Sequence, residues 1–128
     1  MAAGGLPKPE INSVKNTVLA ALEIQEFISK RKIQMDALGK TAFEMRSGIH
    51  TGPIVAGIVG VKKFQYDIWG DAVNTASRME SSCEVGKVNL SQTTYEYLKG
   101  DTDFIFESRG KIKAKGKGFI EMWYVRKA

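Results

Sequence analysis

The feature that most constrains the fold is an apolar strand that passes, through a single glycine, into an amphipathic helix. Residues 66–69 are typical of a short strand, Gly70 ends it, and a helix is predicted over 71–82 with Asp71 as its N-cap. The first N–H groups of a helix lack partners within it, and the helix dipole is positive there. The junction therefore predicts a place beside a sheet where an anion can bind.

Polar side chains share one face of this predicted helix. Asp71, Asn74 and Arg78 stand at i, i+3 and i+7, which places them on one side of a 3.6-residue repeat. The core side is predicted to consist of Val73, Ala76 and Met79. A solvated surface face would show the same pattern, so the helix indicates a binding site only in combination with the rest of the chain.

The other segments predict further helices and short strands around this junction. A first helix begins near residues 12–13 and ends near the basic residues 30–32. The elements expected after it are strands at 43–49, 54–60 and 66–69, the helix at 71–82, a strand at 88–90, a helix at 92–98 and a hairpin over 104–125 that turns at 116–118. This order predicts the α+β class, with helices packed on a mostly antiparallel sheet.

The predicted hairpin carries a row of cations, called the basic stripe below. Its members occupy alternate positions and are predicted to share one face of a strand: Arg109, Lys111, Lys113, Lys115 and Lys117. The net charge of +5 favours anionic ligands. A solvated strand edge protected by lysines is the alternative. In favour of a ligand, the stripe ends at the turn 116–118, where backbone and ammonium groups can both approach a phosphate.

Composition excludes or disfavours several other kinds of site. With one cysteine and one histidine, the chain has neither a disulfide framework nor a Cys/His zinc site, and a reducing, cytoplasmic setting is expected. A base and nucleophile pair of His50 and Cys83 lacks a third, orienting group, and Asp101 and Asp103 are better explained by a turn. The first residues do not resemble a signal peptide, and the longest apolar run, 54–61, is too short to span a bilayer.

One ungapped segment, 64–80 with the sequence FQYDIWGDAVNTASRME, closely resembles the class III adenylyl and guanylyl cyclase catalytic domain. Residues 46–57, RSGIHTGPIVAG, precede it, and residues 115–118, KGKG, follow it in the order found in that family. The resemblance covers almost the whole chain, 1–128, as one partial catalytic domain. It implies a ferredoxin-like core and the synthesis of cyclic AMP or cyclic GMP at the interface of a head-to-tail dimer.

The resemblance also implies roles for individual residues. Asp67 would accept a hydrogen bond from the exocyclic amine of adenine, and the backbone of Ile68 would meet the ring edge. Asn74 would orient the ribose, Arg78 would stabilise charge on the α-phosphate, and Lys115 would bind the terminal phosphates. Arg78, Asn74 and Lys115 are therefore the catalytic candidates. Because adenine offers an amine where guanine offers a carbonyl, the carboxylate at position 67 favours ATP and predicts an adenylate cyclase.

The same resemblance implies two metal ions whose ligands the sequence does not contain. In the family, two aspartates hold two Mg²⁺ or Mn²⁺ ions that activate the ribose 3′-OH, and residues 1–7 resemble the stretch that follows the second aspartate. The domain is expected to be truncated at its N-terminus and inactive alone. A second copy, or a related cyclase domain bound head-to-tail, would supply the aspartates. The missing strands also predict self-association or marginal stability.

Two other functions remain as alternatives. A cyclase-like domain that acts only in regulation or dimerisation would carry the same motifs without turnover. An RNA-binding module of the RRM type shares the ferredoxin-like plan, but residues 117–119 match only the first three positions of its signature. The expected partners are therefore ATP and a cyclase domain, with no nucleic acid and no direct membrane contact. Membrane attachment through segments upstream in a full-length protein stays open.

Overall fold

Helices and strands follow one another along the chain in the order that the sequence predicts. The computed structural model describes residues 4, 12–41, 43–52, 55–59 and 65–128, and for 55–59 and 65–69 it describes the backbone alone. The helices are α1 (Ser13–Ala37), α2 (Asp71–Ser81) and α3 (Gln92–Leu98). The strands are β1 (Ser47–Ile49), β2 (Val55–Val59), β3 (Gln65–Trp69), β4 (Val88–Ser91), β5 (Phe104–Ala114) and β6 (Gly118–Lys127). None of the helices described combines the length and apolarity that a bilayer crossing requires.

A four-stranded sheet with the order β1-β4-β6-β5 is the framework of the molecule. β1 and β4 are parallel, whereas β4–β6 and β5–β6 are antiparallel, so the prediction of a mostly antiparallel α+β sheet is confirmed. β2 and β3 form a separate antiparallel ribbon. Only Gly70 separates the end of this ribbon from the first residue of α2.

Helices cover both faces of the four-stranded sheet. On one face, α1 and α3 pack over a buried apolar cluster formed by Val18, Ile49, Val88, Leu90, Leu98, Phe104 and Val125. On the other face, α2 inserts the fully buried Met79 against Ala114 of β5 and Met122 of β6. The buried Asn89 of β4 donates a hydrogen bond to the carbonyl oxygen of Met79 over 2.9 Å, which ties the sheet to the helix.

The backbones of α2 and β1 touch at Gly48. A Cβ atom built on Gly48 would lie 2.0 Å from the backbone nitrogen of Glu80 and 2.4 Å from the carbonyl carbon of Met79. Only a residue without a side chain allows this approach. Beside it, Arg46 Nε donates to the Glu80 carboxylate over 2.8 Å. The two contacts set how far α2 lies from the sheet.

Two predicted boundaries were wrong. α1 runs on to Ala37, past its predicted end at 30–32, because the chain contains no helix breaker before Gly39. The strand predicted over 43–49 is reduced to Ser47–Ile49, and Phe43 is 90% exposed. β1 begins where its partner does, since Ser47 pairs with Val88.

The interior side of α2 agrees with the prediction at Met79 but differs from it at the start of the helix. Ala72 and Met79 are buried, whereas Val73 and Ala76 are half-buried. Gly70, and not Asp71, occupies the N-cap, and no side chain caps the helix. Asp71 is therefore the first helical residue, which leaves its carboxylate available for another contact.

Candidate active site

The polar side of α2 is the first component of the candidate site. Asp71, Asn74 and Arg78 share one side of the helix, next to the side on which Met79 packs on the sheet. Asn74 is exposed and Arg78 is half-buried. Arg78 lies seven residues, or about 10 Å along the helix axis, from Asp71. The predicted common face of these residues is thus present in the structure.

The turn between β5 and β6 is the second component, and it meets α2 at its N-terminus. Lys117, whose side chain is 23% exposed, forms an ion pair with the carboxylate of Asp71. Gly116 and Gly118, with φ angles of +74° and +70°, allow the tight turn, which one backbone hydrogen bond from Lys117 N to Ala114 O closes over 3.0 Å. Lys115 follows the last residue of β5 and is exposed.

The hairpin also contacts the C-terminal end of α2. Arg109 donates from Nη1 to the carbonyl oxygen of Ser82 over 2.9 Å, and its guanidinium lies 4.2 Å from the centre of the Tyr124 ring. A cation at this end of a helix interacts favourably with the helix dipole. The β5–β6 hairpin therefore runs along α2 and contacts both of its ends.

The basic stripe is not one continuous face. A bulge between Ser108 and Gly110, where Gly110 has a φ of +68°, turns Arg109 towards α2. Lys111 and Lys113 lie on the strand face opposite the apolar residues that pack towards α2. The prediction that all five cations share a face was wrong, because strict alternation cannot anticipate a bulge.

Several cations of this region have no acidic partner among the described residues. No carboxylate there lies within ion-pair distance of Arg78, in the last turn of α2, or of Lys115 at the hairpin turn, and the same holds for Lys111 and Lys113. By contrast, Arg46 and Lys117 are paired, and Arg109 is bound to a backbone carbonyl. Positive charge without a counterion among the described residues favours a bound anion.

The predicted base-binding residues can be followed only along the backbone. Asp67 and Ile68 lie in β3, opposite Gly57 and Ala56 of β2, and their side chains fall outside the described residues. The strand that carries them ends at Trp69 and leads through Gly70 into α2. The predicted order of strand, glycine and helix is confirmed.

A cavity of about 330 Å³ lies where β1 and β4 end, next to this region. It is lined by His50, Thr75, Ser91, Gln92, Thr93, Ile120 and Glu121. His50 Nδ1 lies 2.7 Å from the Ser91 hydroxyl. Burial lowers the pKa of His50, and Lys117 lowers it further, whereas Asp71 acts in the opposite direction. A Cβ atom built on Gly52 would lie 3.1 Å from His50 Nε2 and 3.4 Å from the Cβ of Ala72, so His50 lies near the start of α2.

The structure excludes the weaker candidates. His50 follows the end of β1, whereas Cys83 lies near its start, with Sγ 3.2 Å from the carbonyl oxygens of Glu84 and Lys87. Burial raises the pKa of the Cys83 thiol, which keeps it protonated. A base and nucleophile pair of these two residues is therefore ruled out.

The predicted turn at 101–103 is confirmed. The Asp101 carboxylate accepts a hydrogen bond from Asp103 N over 2.9 Å, and Lys15 pairs with both carboxylates. In the described part of the chain, histidine, cysteine and acidic residues form no group of three or more that could hold a metal ion.

Comparison with known proteins identifies the family to which the fold belongs. The family model described as the adenylate and guanylate cyclase catalytic domain matches residues 1–127. The chain belongs to this family. The predicted resemblance to the class III cyclase catalytic domain is thereby confirmed. Class III cyclase domains generally depend on divalent metal ions.

Relatives of both substrate types are about equally similar to the chain. An adenylate cyclase of Mycobacterium tuberculosis is 41% identical over 125 residues, which cover 98% of this chain and 27% of that protein. The human guanylate cyclase soluble subunit beta-2 is also 41% identical over 125 residues, covering 98% and 20%. The chain thus spans about a quarter of the length of these relatives.

Solved structures agree with the assignment. The guanylate cyclase domain of RhGC from Catenaria anguillulae, in complex with GTP, superposes with a TM-score of 0.85 at 31% identity, covering 97% of this chain and 65% of that one. The α+β cyclase fold is therefore established, and the protein is a nucleotide cyclase domain by family.

Some functional features escaped the sequence analysis. The partner of Lys117 is 46 residues away, so no local pattern indicates it. Arg109 was expected on the basic stripe, but a bulge directs it to the end of α2. The close approach at Gly48 had one available signal, a glycine within the predicted strand 43–49, and such glycines often mark contact with another backbone.

Proposed function

We propose that this chain supplies the half of an adenylate cyclase active site that binds the base, ribose and phosphates of ATP and stabilises the transition state. The observation that carries the proposal is the meeting of two elements at one end of α2. The turn that bears Lys115 lies against Asp71, which shares a helix side with Asn74 and Arg78. The family assignment gives this arrangement its chemistry.

Arg78 is assigned to the charge that develops on the α-phosphate. In cyclisation the ribose 3′-oxygen attacks the α-phosphorus and pyrophosphate leaves, so negative charge spreads over the oxygens of the transferred group. A half-buried guanidinium without an acidic partner among the described residues can be held ready for this charge. Loss of one such donor typically lowers the rate by about 10²–10³.

Asn74 and Lys115 are assigned to the two ends of the sugar-phosphate unit. Asn74, exposed one turn before Arg78, would hold the ribose so that its 3′-OH faces the phosphorus. Lys115, exposed at the hairpin turn, would bind the terminal phosphates and the leaving pyrophosphate. A flexible ammonium suits a ligand with many equivalent oxygens.

Asp67 is assigned to the adenine base, with the backbone of Ile68 at the ring edge. A carboxylate accepts a hydrogen bond from the adenine amine, whereas the guanine carbonyl offers it only a second acceptor. A carboxylate that loses its hydrogen-bond partner on a bound base costs about 1–3 kcal/mol, which corresponds to a preference for ATP of about 5- to 150-fold. Because adenylate and guanylate cyclases are equally similar to the chain, this residue carries the substrate assignment.

The metal ions are proposed to come with a second domain. The described residues offer no group that could hold them, so Mg²⁺ or Mn²⁺ ligands are expected from a homodimer partner or a related cyclase domain, arranged head-to-tail. The ions would supply activation of the 3′-OH and charge neutralisation. A chain without such a partner is expected to be inactive. The same lack of ligands favours, as a second candidate, a silent regulatory or dimerisation domain.

Complementation separates the two candidates. The chain is mixed with the catalytic domain of the M. tuberculosis relative in which the residue aligned with Arg78 is replaced by alanine, and cyclic AMP is measured with Mg²⁺ or Mn²⁺. Recovery of activity by the wild-type chain, but not by its R78A variant, is expected. No recovery, when mixed dimers are shown to form, would favour the silent domain.

A further inference from the structure

The two lysines of the β5–β6 turn have different surroundings. Lys117 is largely buried against α2 and pairs with Asp71, whereas Lys115 is exposed and has no acidic partner among the described residues. We propose that Asp71 and Lys117 form an anchoring pair that positions Lys115 for the terminal phosphates. Lys117 would thus anchor the turn, while Lys115 would bind the ligand. This inference rests on the proposed function of Lys115.

The strand pairing of the hairpin ends at Ala114 and Gly118, so the turn residues 115–117 lie outside the sheet ladder. Gly116 and Gly118 adopt left-handed conformations, and a backbone hydrogen bond from Lys117 N to Ala114 O closes the turn. Ala114, the last residue of β5, is buried beside Met79, so packing fixes the chain one residue before Lys115. The ion pair two residues later fixes the other side of Lys115.

Asp71 is well placed to hold this pair. It is the first residue of α2, where the positive end of the helix dipole stabilises a carboxylate. The nearby His50 does not supply a competing cation at neutral pH, because burial lowers its pKa. Lys117 is therefore the cation that the Asp71 carboxylate binds in the described structure.

The anchoring pair also determines which of the two lysines keeps an unneutralised charge. Asp71 neutralises Lys117, so the positive charge that remains for a phosphate group is that of Lys115. The free energy lost when the anchoring pair is broken is expected to be modest, since the Asp71 carboxylate is 81% exposed. Exposed ion pairs of this kind change an equilibrium by about two- to five-fold.

The test compares the binding of ATP with that of adenosine by the 128-residue chain. The double variant Asp71→Asn/Lys117→Met removes the ion pair and keeps the net charge of the turn, so it is expected to weaken ATP binding by about two- to five-fold and to leave adenosine binding unchanged, because only the phosphates reach Lys115. Asp71→Asn alone also releases the charge of Lys117 and should weaken ATP binding less than the double variant, whereas Lys117→Met alone leaves a carboxylate unpaired and should weaken it at least as much. Asp71→Glu keeps the carboxylate and should bind ATP as the wild type does. Lys115→Met is the matched control within the same turn, and it should weaken ATP binding while the anchoring pair stays in place.

A second measurement observes the anchor without nucleotide. In Asp71→Asn, the backbone ¹⁵N relaxation of Gly116 and Gly118 should report increased motion, whereas Lys115→Met should not change it. Unchanged relaxation in Asp71→Asn, wild-type ATP affinity in the double variant, or equal weakening of ATP and adenosine would each overturn the anchor. If instead Asp71→Asn loosens the turn but Lys115→Met leaves ATP binding intact, the anchor stands and the proposed function of Lys115 fails.

Discussion

Replacing Gly48 with alanine should destabilise the protein through the placement of α2. The added Cβ would lie 2.0 Å from the Glu80 nitrogen and 2.6 Å from its Cα, and both atoms belong to the helix backbone. Neither can rotate away as the end of a side chain could. The helix must therefore retreat by about 1 Å or more to regain ordinary contact distances.

The cost has two parts. Forcing an extra methyl group into a packed contact typically costs about 1–3 kcal/mol. A retreat of α2 would also stretch the 2.9 Å bond from Asn89 to the Met79 carbonyl, and a buried polar group that loses its partner costs about 1–3 kcal/mol. Together the Gly48→Ala change should cost about 2–6 kcal/mol, a large share of the usual stability of a domain.

Urea unfolding followed by circular dichroism measures this effect. Gly100→Ala is the matched control, because a Cβ built there meets nothing within 4 Å and its φ is not in the left-handed region. The control should lie within about 0.5 kcal/mol of the wild type, or slightly above it, since alanine restricts the unfolded chain. Gly48→Ala should lower the midpoint sharply or prevent folding altogether. If both variants unfold at the wild-type midpoint, α2 does not depend on the contact at Gly48.

Two further predictions concern pH and association. The pKa of His50 is lowered in the folded chain, so the contribution of the neutral imidazole to stability is present above the usual pKa near 6.5 and is lost as the pH falls through the folded pKa. The urea midpoint should therefore drop less on acidification in His50→Gln than in the wild type. Equal drops in the two proteins would contradict this prediction. α1 exposes Ile24 by 50% and Phe27 by 66%, so light scattering should detect association that the Ile24→Lys/Phe27→Lys variant reduces. The control Val85→Lys removes an exposed apolar residue elsewhere and should leave association unchanged.

The sequence predicted best those elements that local residues determine. The helix over 92–98 and the hairpin turn were both correct, because Ser91 caps the helix and the 115–118 segment favours a tight reversal. Alternation over 43–46 failed to produce a strand, since β1 pairs with its neighbour only from Ser47 onward. A strand needs a partner as well as a pattern.

The candidate site was predictable in its residues but not in its contacts. The common side of Asn74 and Arg78 follows from helical spacing alone. The ion pair of Asp71 with Lys117 does not, because the two residues are brought together by the tertiary fold. Asp71 was predicted to cap its own helix, and its actual partner became visible only when the hairpin was placed beside α2.

These contacts assign separate supports to the two proposed catalytic cations. Gly48 and Asn89 fix the distance of α2 from the sheet and so determine where Arg78 stands, whereas the anchoring pair determines where Lys115 stands. Gly48→Ala should therefore act mainly on stability and on the rate in complementation, and Asp71→Asn mainly on ATP affinity. Asp71 itself belongs to α2, so a retreat of the helix in Gly48→Ala would also disturb the anchoring pair. The combined loss of ATP affinity should therefore be smaller than the sum of the two single losses, and full additivity would instead mean that the pair holds when α2 moves.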